Sequence, residues 1–212
     1  MSQMNTPDLQ ISSTVTAAAS VMPTKPCPHA ISKPNAAYLA ATRKIDISGL
    51  PFGSMHDFIS DGEIKVRFST PMEKRGPVPD GWATWSSPPF SESSTADVLI
   101  TGEQTSLTMD LSKPVAIFGF ELEPNGFQTF AYTADFYREG QLIDSIMRNV
   151  DGNAGARLFA RAGEPIDRVI VSGPDAFAIA QVRLQEVLQA QQRAMMLFGT
   201  LMLLLVVPPF LL

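Results

Sequence analysis

Between Pro114 and Leu184, apolar residues recur at every second position in short runs, broken by Gly, Asn, Asp or Pro. Phe118, Phe120 and Leu122 form one run. Phe130, Tyr132, Ala134 and Phe136 form a second, and Ala176, Ala178, Ala180, Val182 and Leu184 a third. Side chains alternate between the two faces of a strand, so this period describes elements with one buried face. Several such runs separated by turn residues predict an all-β, antiparallel fold. The same pattern holds upstream, where Ile64, Val66 and Phe68 face one way and the charged residues of EIKVRFS face the other. Strand character begins at Lys44–Ser48, and residues 70–94 form a long loop rich in Pro, Ser and Gly. Residues 97–101 and 105–111 predict a hairpin across Gly102-Glu103-Gln104, with Leu107, Met109 and Leu111 on one face. The count comes to about nine strands over 44–184, the size of a two-sheet jelly-roll sandwich. No repeat of propeller or solenoid length is present.

The two ends differ from this middle. Residues 1–43 are rich in Ser, Thr, Ala and Pro with little periodicity, which predicts a disordered or loosely attached tail. No cationic segment opens it, so it does not read as a secretory signal. Residues 185–193 predict a short helical linker. Residues 194–212, AMMLFGTLMLLLVVPPFLL, contain no charge. A bilayer-spanning helix needs about 20 apolar residues, so this segment is just long enough, although Pro208 and Pro209 shorten its regular part. It is apolar on all sides. The expectation is a C-terminal membrane anchor and a membrane-associated protein at the cell surface or envelope. A helix packed on the domain or on a partner is the alternative.

Charge and cysteine content exclude some classes. The net charge is −5 and the basic residues are scattered, whereas a nucleic-acid surface needs a basic stripe; no nucleic-acid partner is expected. Cys27 is the only cysteine, so neither an intramolecular disulfide nor a thiolate zinc site can form.

The phrases VAIFGFELEPN (115–125), DGNAGARLFA (151–160) and DAFAIAQVRL (175–184), with WATWSSPPFSES (82–93), resemble the jelly-roll β-sandwich domain of exported bacterial surface proteins, notably those with PEP-CTERM-type sorting tails. The resemblance covers 45–184. It implies a secreted or surface-displayed sandwich whose ligand is unassigned. The chain departs from that architecture at both ends. It has no clear signal peptide, no Val-Pro-Glu-Pro motif before the apolar segment and no arginine cluster after it.

Three groups of residues are candidates for function. Trp82, Trp85 and Phe90 lie together in a proline-rich loop, and flat indoles on loops suit sugar rings or protein partners. The same indoles can instead plug the open end of a sandwich. Glu121 and Glu123 lie two apart on one strand and so share a face; a glycosidase uses such carboxylates roughly 5–9.5 Å apart, but solvated edge charges are the simpler reading. Asp151 and Asn153, before Gly155, resemble the opening of a calcium loop. Glu121 or Glu123 could complete such a site, since no glutamate follows at EF-hand spacing: position 162 is Ala and Glu164 lies beyond. Turn chemistry explains Asp151-Gly152-Asn153 equally well. His56 lies beside Asp57 and close to Ser54, with the serine expected on the opposite face. No Gly-x-Ser-x-Gly elbow, P-loop or dinucleotide fingerprint is present. The expectation is therefore a non-enzymatic surface β-sandwich that binds glycan or matrix through the Trp82–Phe90 loop and is tethered through 194–212, with no cofactor unless calcium. A structural or interaction subunit of a membrane assembly is the alternative, and a hydrolase a weaker one.

Overall fold

The computed structural model describes residues 29–187. They form β1 (His29–Ile31), α1 (Ala36–Ala41), β2 (Arg43–Lys44), β3 (Met55–Ser60), β4 (Lys65–Arg75), β5 (Val98–Ile100), β6 (Ser106–Pro124), β7 (Thr129–Arg138), β8 (Gln141–Asp151), β9 (Arg157–Ser172) and β10 (Phe177–Glu186). Every strand pairing is antiparallel. The all-β, antiparallel expectation holds.

Two long strands organise the molecule. β6 and β9 pair along nearly their whole lengths, with a break in register between Asp110 and Val115. Pro114 lies in that break, where its missing N–H costs no ladder bond. Each strand changes its other neighbour across the break. The first half of β6 lies beside β4, with Leu111 opposite Val66, and the second half beside β10, with Glu121 opposite Ala180. β9 pairs with β1 near its start and with β7 near its end, and β8 then pairs with β7. β5 lies between β10 and the end of β4, so β4, β6, β10 and β5 close a ring of pairings.

The main core joins the alternating sets read from sequence. Val66, Phe68, Phe118, Phe120, Leu122, Tyr132, Ala134 and Phe136 all lie in it. Phe120 stacks on Phe159, its cross-strand partner, at 5.8 Å between centroids.

Five expectations need correction. The stretch expected as a tail contributes β1, α1 and β2. Asn35 caps α1 by accepting the Tyr38 N–H at 2.9 Å, and Tyr38 is buried against Leu158 and Ala160. A six-residue helix shows too little period to be read, and β1 and β2 are too short to alternate. Second, β5 and β6 do not form a hairpin. β5 is only three residues long, and Thr101 at its end is held by β10, through Thr101 N–H and Oγ1 to the Phe177 carbonyl, both at 3.0 Å. Third, 176–184 does not present one apolar face. Gln181 takes a positive φ of 52° at a register shift, and such a bulge reverses the facing of the residues after it. Phe177 and Ile179 therefore share the main core with Val182 and Leu184, whereas Ala178 and Ala180 face the other way. Fourth, β10 continues through Glu186, where a helical linker is expected. Fifth, the loop expected from residue 70 begins later: β4 continues through Arg75, and Glu73, Lys74 and Arg75 pair with β5. The apolar segment 194–212 and Cys27 lie outside the described residues. Among the described residues no helix is long and apolar enough to cross a membrane.

Candidate functional site

The second half of β6 is buried on both sides, and this overturns the reading of Glu121 and Glu123 as solvated edge charges. Both are fully buried. Their face of the sheet carries Ala178 and Ala180 from β10. These small side chains leave room for a cover, which the segment between β4 and β5 supplies. The carboxylates fasten it. Trp85 Nε1 donates to Glu121 Oε2 at 2.9 Å, and the Glu92 N–H donates to Oε1 at 2.7 Å. Trp82 Nε1 donates to Glu123 Oε2 at 3.0 Å, while the Gly155 N–H reaches Oε1 at 3.0 Å and Thr84 Oγ1 the same oxygen at 3.3 Å. Glu92 is in turn forked by Arg183, Nε to Oε1 at 2.5 Å and Nη2 to Oε2 at 3.0 Å. A buried carboxylate is tolerable only when its lone pairs are met in this way.

Burial pushes the Glu121 carboxyl up to about 7, against the hydrogen bonds from Trp85 and Glu92, and nearby Glu92 pushes it further up. Burial likewise raises Glu123 to about 6, opposed by the bonds from Trp82, Gly155 and Thr84. The pair thus has the raised pKa values that acid–base chemistry requires. Substrate access is another matter, because Trp85, the group facing Glu121, is itself only 3% exposed.

The three expected ligand residues separate. Trp85 packs with Val98, Ala156, Ala178 and Ala180, so its indole is not presented to a ligand; it covers the face of β6 and β10 turned away from the main core. Phe90 is 40% exposed and stands apart, bracketed by Arg157 and Lys33 with centroid distances of 4.7 and 4.8 Å. Trp82 is half-buried and lines an open cleft of about 330 Å³ with Pro79, Thr84, Pro124, Asn125, Phe127 and Gly152. Phe127 is 67% exposed and escapes the alternation reading. The available signal was an aromatic inside a Pro-Asn-Gly turn, where no strand could bury it.

The acidic candidates do not converge as a calcium loop. Asp151 accepts the Asn153 N–H at 2.8 Å and Thr129 Oγ1 at 3.3 Å, the geometry of a side-chain-stabilised turn. Glu121 and Glu123 are engaged by their own donors. Among the described residues no group of three or more His, Cys, Asp or Glu side chains is arranged to hold a metal. Ser54 and His56, expected apart, are in contact, with Oγ 2.6 Å from Nε2. They are two residues apart, and such residues share a side of an extended chain. The serine hydroxyl also donates to the Pro51 carbonyl at 2.5 Å, which directs its proton away from the imidazole.

No protein-family model matches the chain, and no curated protein matches it. The site's own geometry therefore carries the functional reading.

Proposed function

We propose that this chain is a non-enzymatic binding module of the jelly-roll sandwich type, which holds a glycan in the cleft lined by Trp82 and Phe127. In this reading residues 194–212 tether it to a membrane at the cell surface or envelope. The observation that carries the proposal is an open cleft lined by both the exposed Phe127 and the Trp82 indole. Trp82 is held through Nε1 by Glu123, and Pro79 and Pro124 add rigid apolar surface. Aromatic and proline walls with a few polar groups at Thr84, Asn125 and Gly152 suit the apolar face and hydroxyl rim of a sugar ring.

The test is binding of the folded protein to an array of neutral and acidic polysaccharides, repeated with Phe127→Ala. Phe127 is exposed enough for its loss to leave folding intact, so circular dichroism should be unchanged while affinity falls about tenfold or more. A folded wild type that binds no glycan, or a variant that binds as well as wild type, sinks the proposal.

The interaction-subunit reading draws on a different observation. Among the described residues β8 pairs only with β7, and Leu142 and Met147 on it are 56% and 71% exposed. A partner strand or helix covering this edge would co-purify with the detergent-extracted protein.

A further inference from the structure

We propose that the ligand is an acidic polysaccharide, and that Lys33 and Arg157 at Phe90, with Arg148 beside Arg157, hold its carboxylate or sulfate groups. This rests on the glycan reading and specifies the class of glycan.

The three cations share one edge of the fold. Lys33 Nζ lies 4.8 Å and Arg157 Cζ 4.7 Å from the Phe90 centroid. Arg148 Cζ lies 5.7 Å from the ring of Phe159, two residues along β9 from Arg157 and so on the same side of that strand. Arg148 also donates Nη2 to the carbonyl of Ile31, two residues before Lys33, at 3.2 Å. Lys33 and Arg157 thus meet at Phe90, while Arg148 lies over Phe159, a ring buried in the main core, near enough to Arg157 for their charges to repel.

None of these cations has a carboxylate at ion-pair distance among the described residues. Lys44, Lys65, Arg67 and Lys113 share that lack, whereas the other described cations are paired. Arg43 pairs with Asp61 and Glu186, Arg161 with Asp144, and Arg183 with Glu92. Arg148 Nε is buried with no hydrogen-bond partner among the described residues. Burial first, and Arg157 second, make its guanidinium less ready to hold its proton than usual. In a chain of net charge −5, three adjacent cations without counter-charge favour the approach of an anion.

Stacking on a ring does not supply that counter-charge. A guanidinium over an aromatic face keeps its N–H groups in its own plane, free to fork a carboxylate or sulfate. Arg157 spends only Nη1 on protein acceptors, the carbonyls of Gly155 and Ala156 at 2.8 and 2.9 Å. Nε and Nη2 remain. The turn that carries Arg157 also carries Gly152 on the cleft wall, so one stretch of chain joins the sugar-ring cleft to the cationic edge. That arrangement fits a polymer with repeated acidic units better than a free anion. An anionic bilayer fits less well, because a flat surface leaves the neighbouring sugar-ring cleft unfilled.

The test is titration of the full chain with polygalacturonate and dextran sulfate against neutral dextran, with vesicles of phosphatidylglycerol as a separate arm. The variants are Lys33→Gln with Arg157→Gln, Phe127→Ala for the cleft, and Arg138→Gln as a distant charge control. The expected result is preference for the acidic polymers, weakened about tenfold in the double variant and unchanged in Arg138→Gln, with neutral binding unaffected by either. Raising salt from about 0.05 M to about 0.5 M should erode the acidic preference alone. Acid binding that persists in Phe127→Ala supports the cationic edge and overturns the cleft. Equal binding of neutral and acidic polymers, or a double variant that binds like wild type, overturns the inference and leaves the glycan reading standing. No binding to any polymer overturns both, as does binding to vesicles alone.

Discussion

At Gly152 two loops meet backbone to backbone. A Cβ there would lie 1.9 Å from the Gly126 carbonyl oxygen and 3.1 Å from that of Pro124. The Gly152 N–H donates to the Gln128 carbonyl at 3.0 Å, fixing the turn after β8 against the loop after β6. Both loops line the cleft, one through Gly152 and the other through Asn125 and Phe127. The obstructing atoms are backbone, so no side-chain rotation relieves the clash. Gly152→Ala is therefore expected to cost about 2 kcal/mol, lowering Tm by about 4–8 °C, and to weaken glycan binding with it. A thermal melt within a degree of wild type would show that the loops can part, and that the cleft is not a fixed site.

Among the elements, α1 carries the clearest consequence. Its Tyr38 ring fills the space that Gly119 leaves on β6, where a Cβ would lie 2.4 Å from the phenol oxygen. That oxygen is buried with no hydrogen-bond partner among the described residues, and burial pushes the phenol far above its ordinary pKa. An unsatisfied buried hydroxyl costs about 1–3 kcal/mol relative to its absence. Tyr38→Phe is accordingly expected to be neutral or to stabilise by up to about 1 kcal/mol, whereas Tyr38→Ala empties the site and costs about 3–5 kcal/mol. Urea unfolding of both variants checks this, and a Tyr38→Phe loss as large as that of Tyr38→Ala would mean that the hydroxyl has a partner. α1 also marks where sequence stops being legible. The long strands β4, β6 and β7 alternate over enough residues for their core faces to be read from single positions such as Phe68, Phe120 and Tyr132. Glu121 and Glu123 follow the same alternation, but their cover comes from Trp85 and Trp82, 36 and 41 positions away. No local pattern reports a contact of that span. The bulge at Gln181 is hidden for a related reason, since its neighbours are apolar on both faces and either register looks buried.

Across the whole molecule, the two buried carboxylates make stability depend on pH in an unusual direction. Burial holds Glu121 near 7 and Glu123 near 6, both above the ordinary 4.5. As pH rises the unfolded chain releases these protons first, so between about pH 4.5 and 7 the folded state holds more protons than the unfolded one. Unfolding free energy then falls with rising pH, and this contribution, fully present below 4.5, is gone above 7. Asp61, whose carboxyl is held low by the Ile64 and Glu63 N–H groups and by Arg43 against its own burial, works the other way. Its stabilisation is lost only as pH drops below the ordinary carboxylate range, outside this window. Each pK unit corresponds to about 1.4 kcal/mol, so the fall amounts to a few kcal/mol at most. Glu121 is faced by Glu92, Tyr38 and the Arg183 that forks Glu92, and none of these offsets it with a direct cationic contact. The expected result is a urea midpoint higher at pH 5 than at pH 8. In Glu121→Gln the midpoint at pH 5 should drop, because one of the two donors from Trp85 and Glu92 loses its acceptor, and most of the slope should vanish with the titrating group. A wild-type midpoint that is flat or rises from pH 5 to pH 8 would mean that water reaches these carboxylates, and that the Trp85 segment is an openable lid over them.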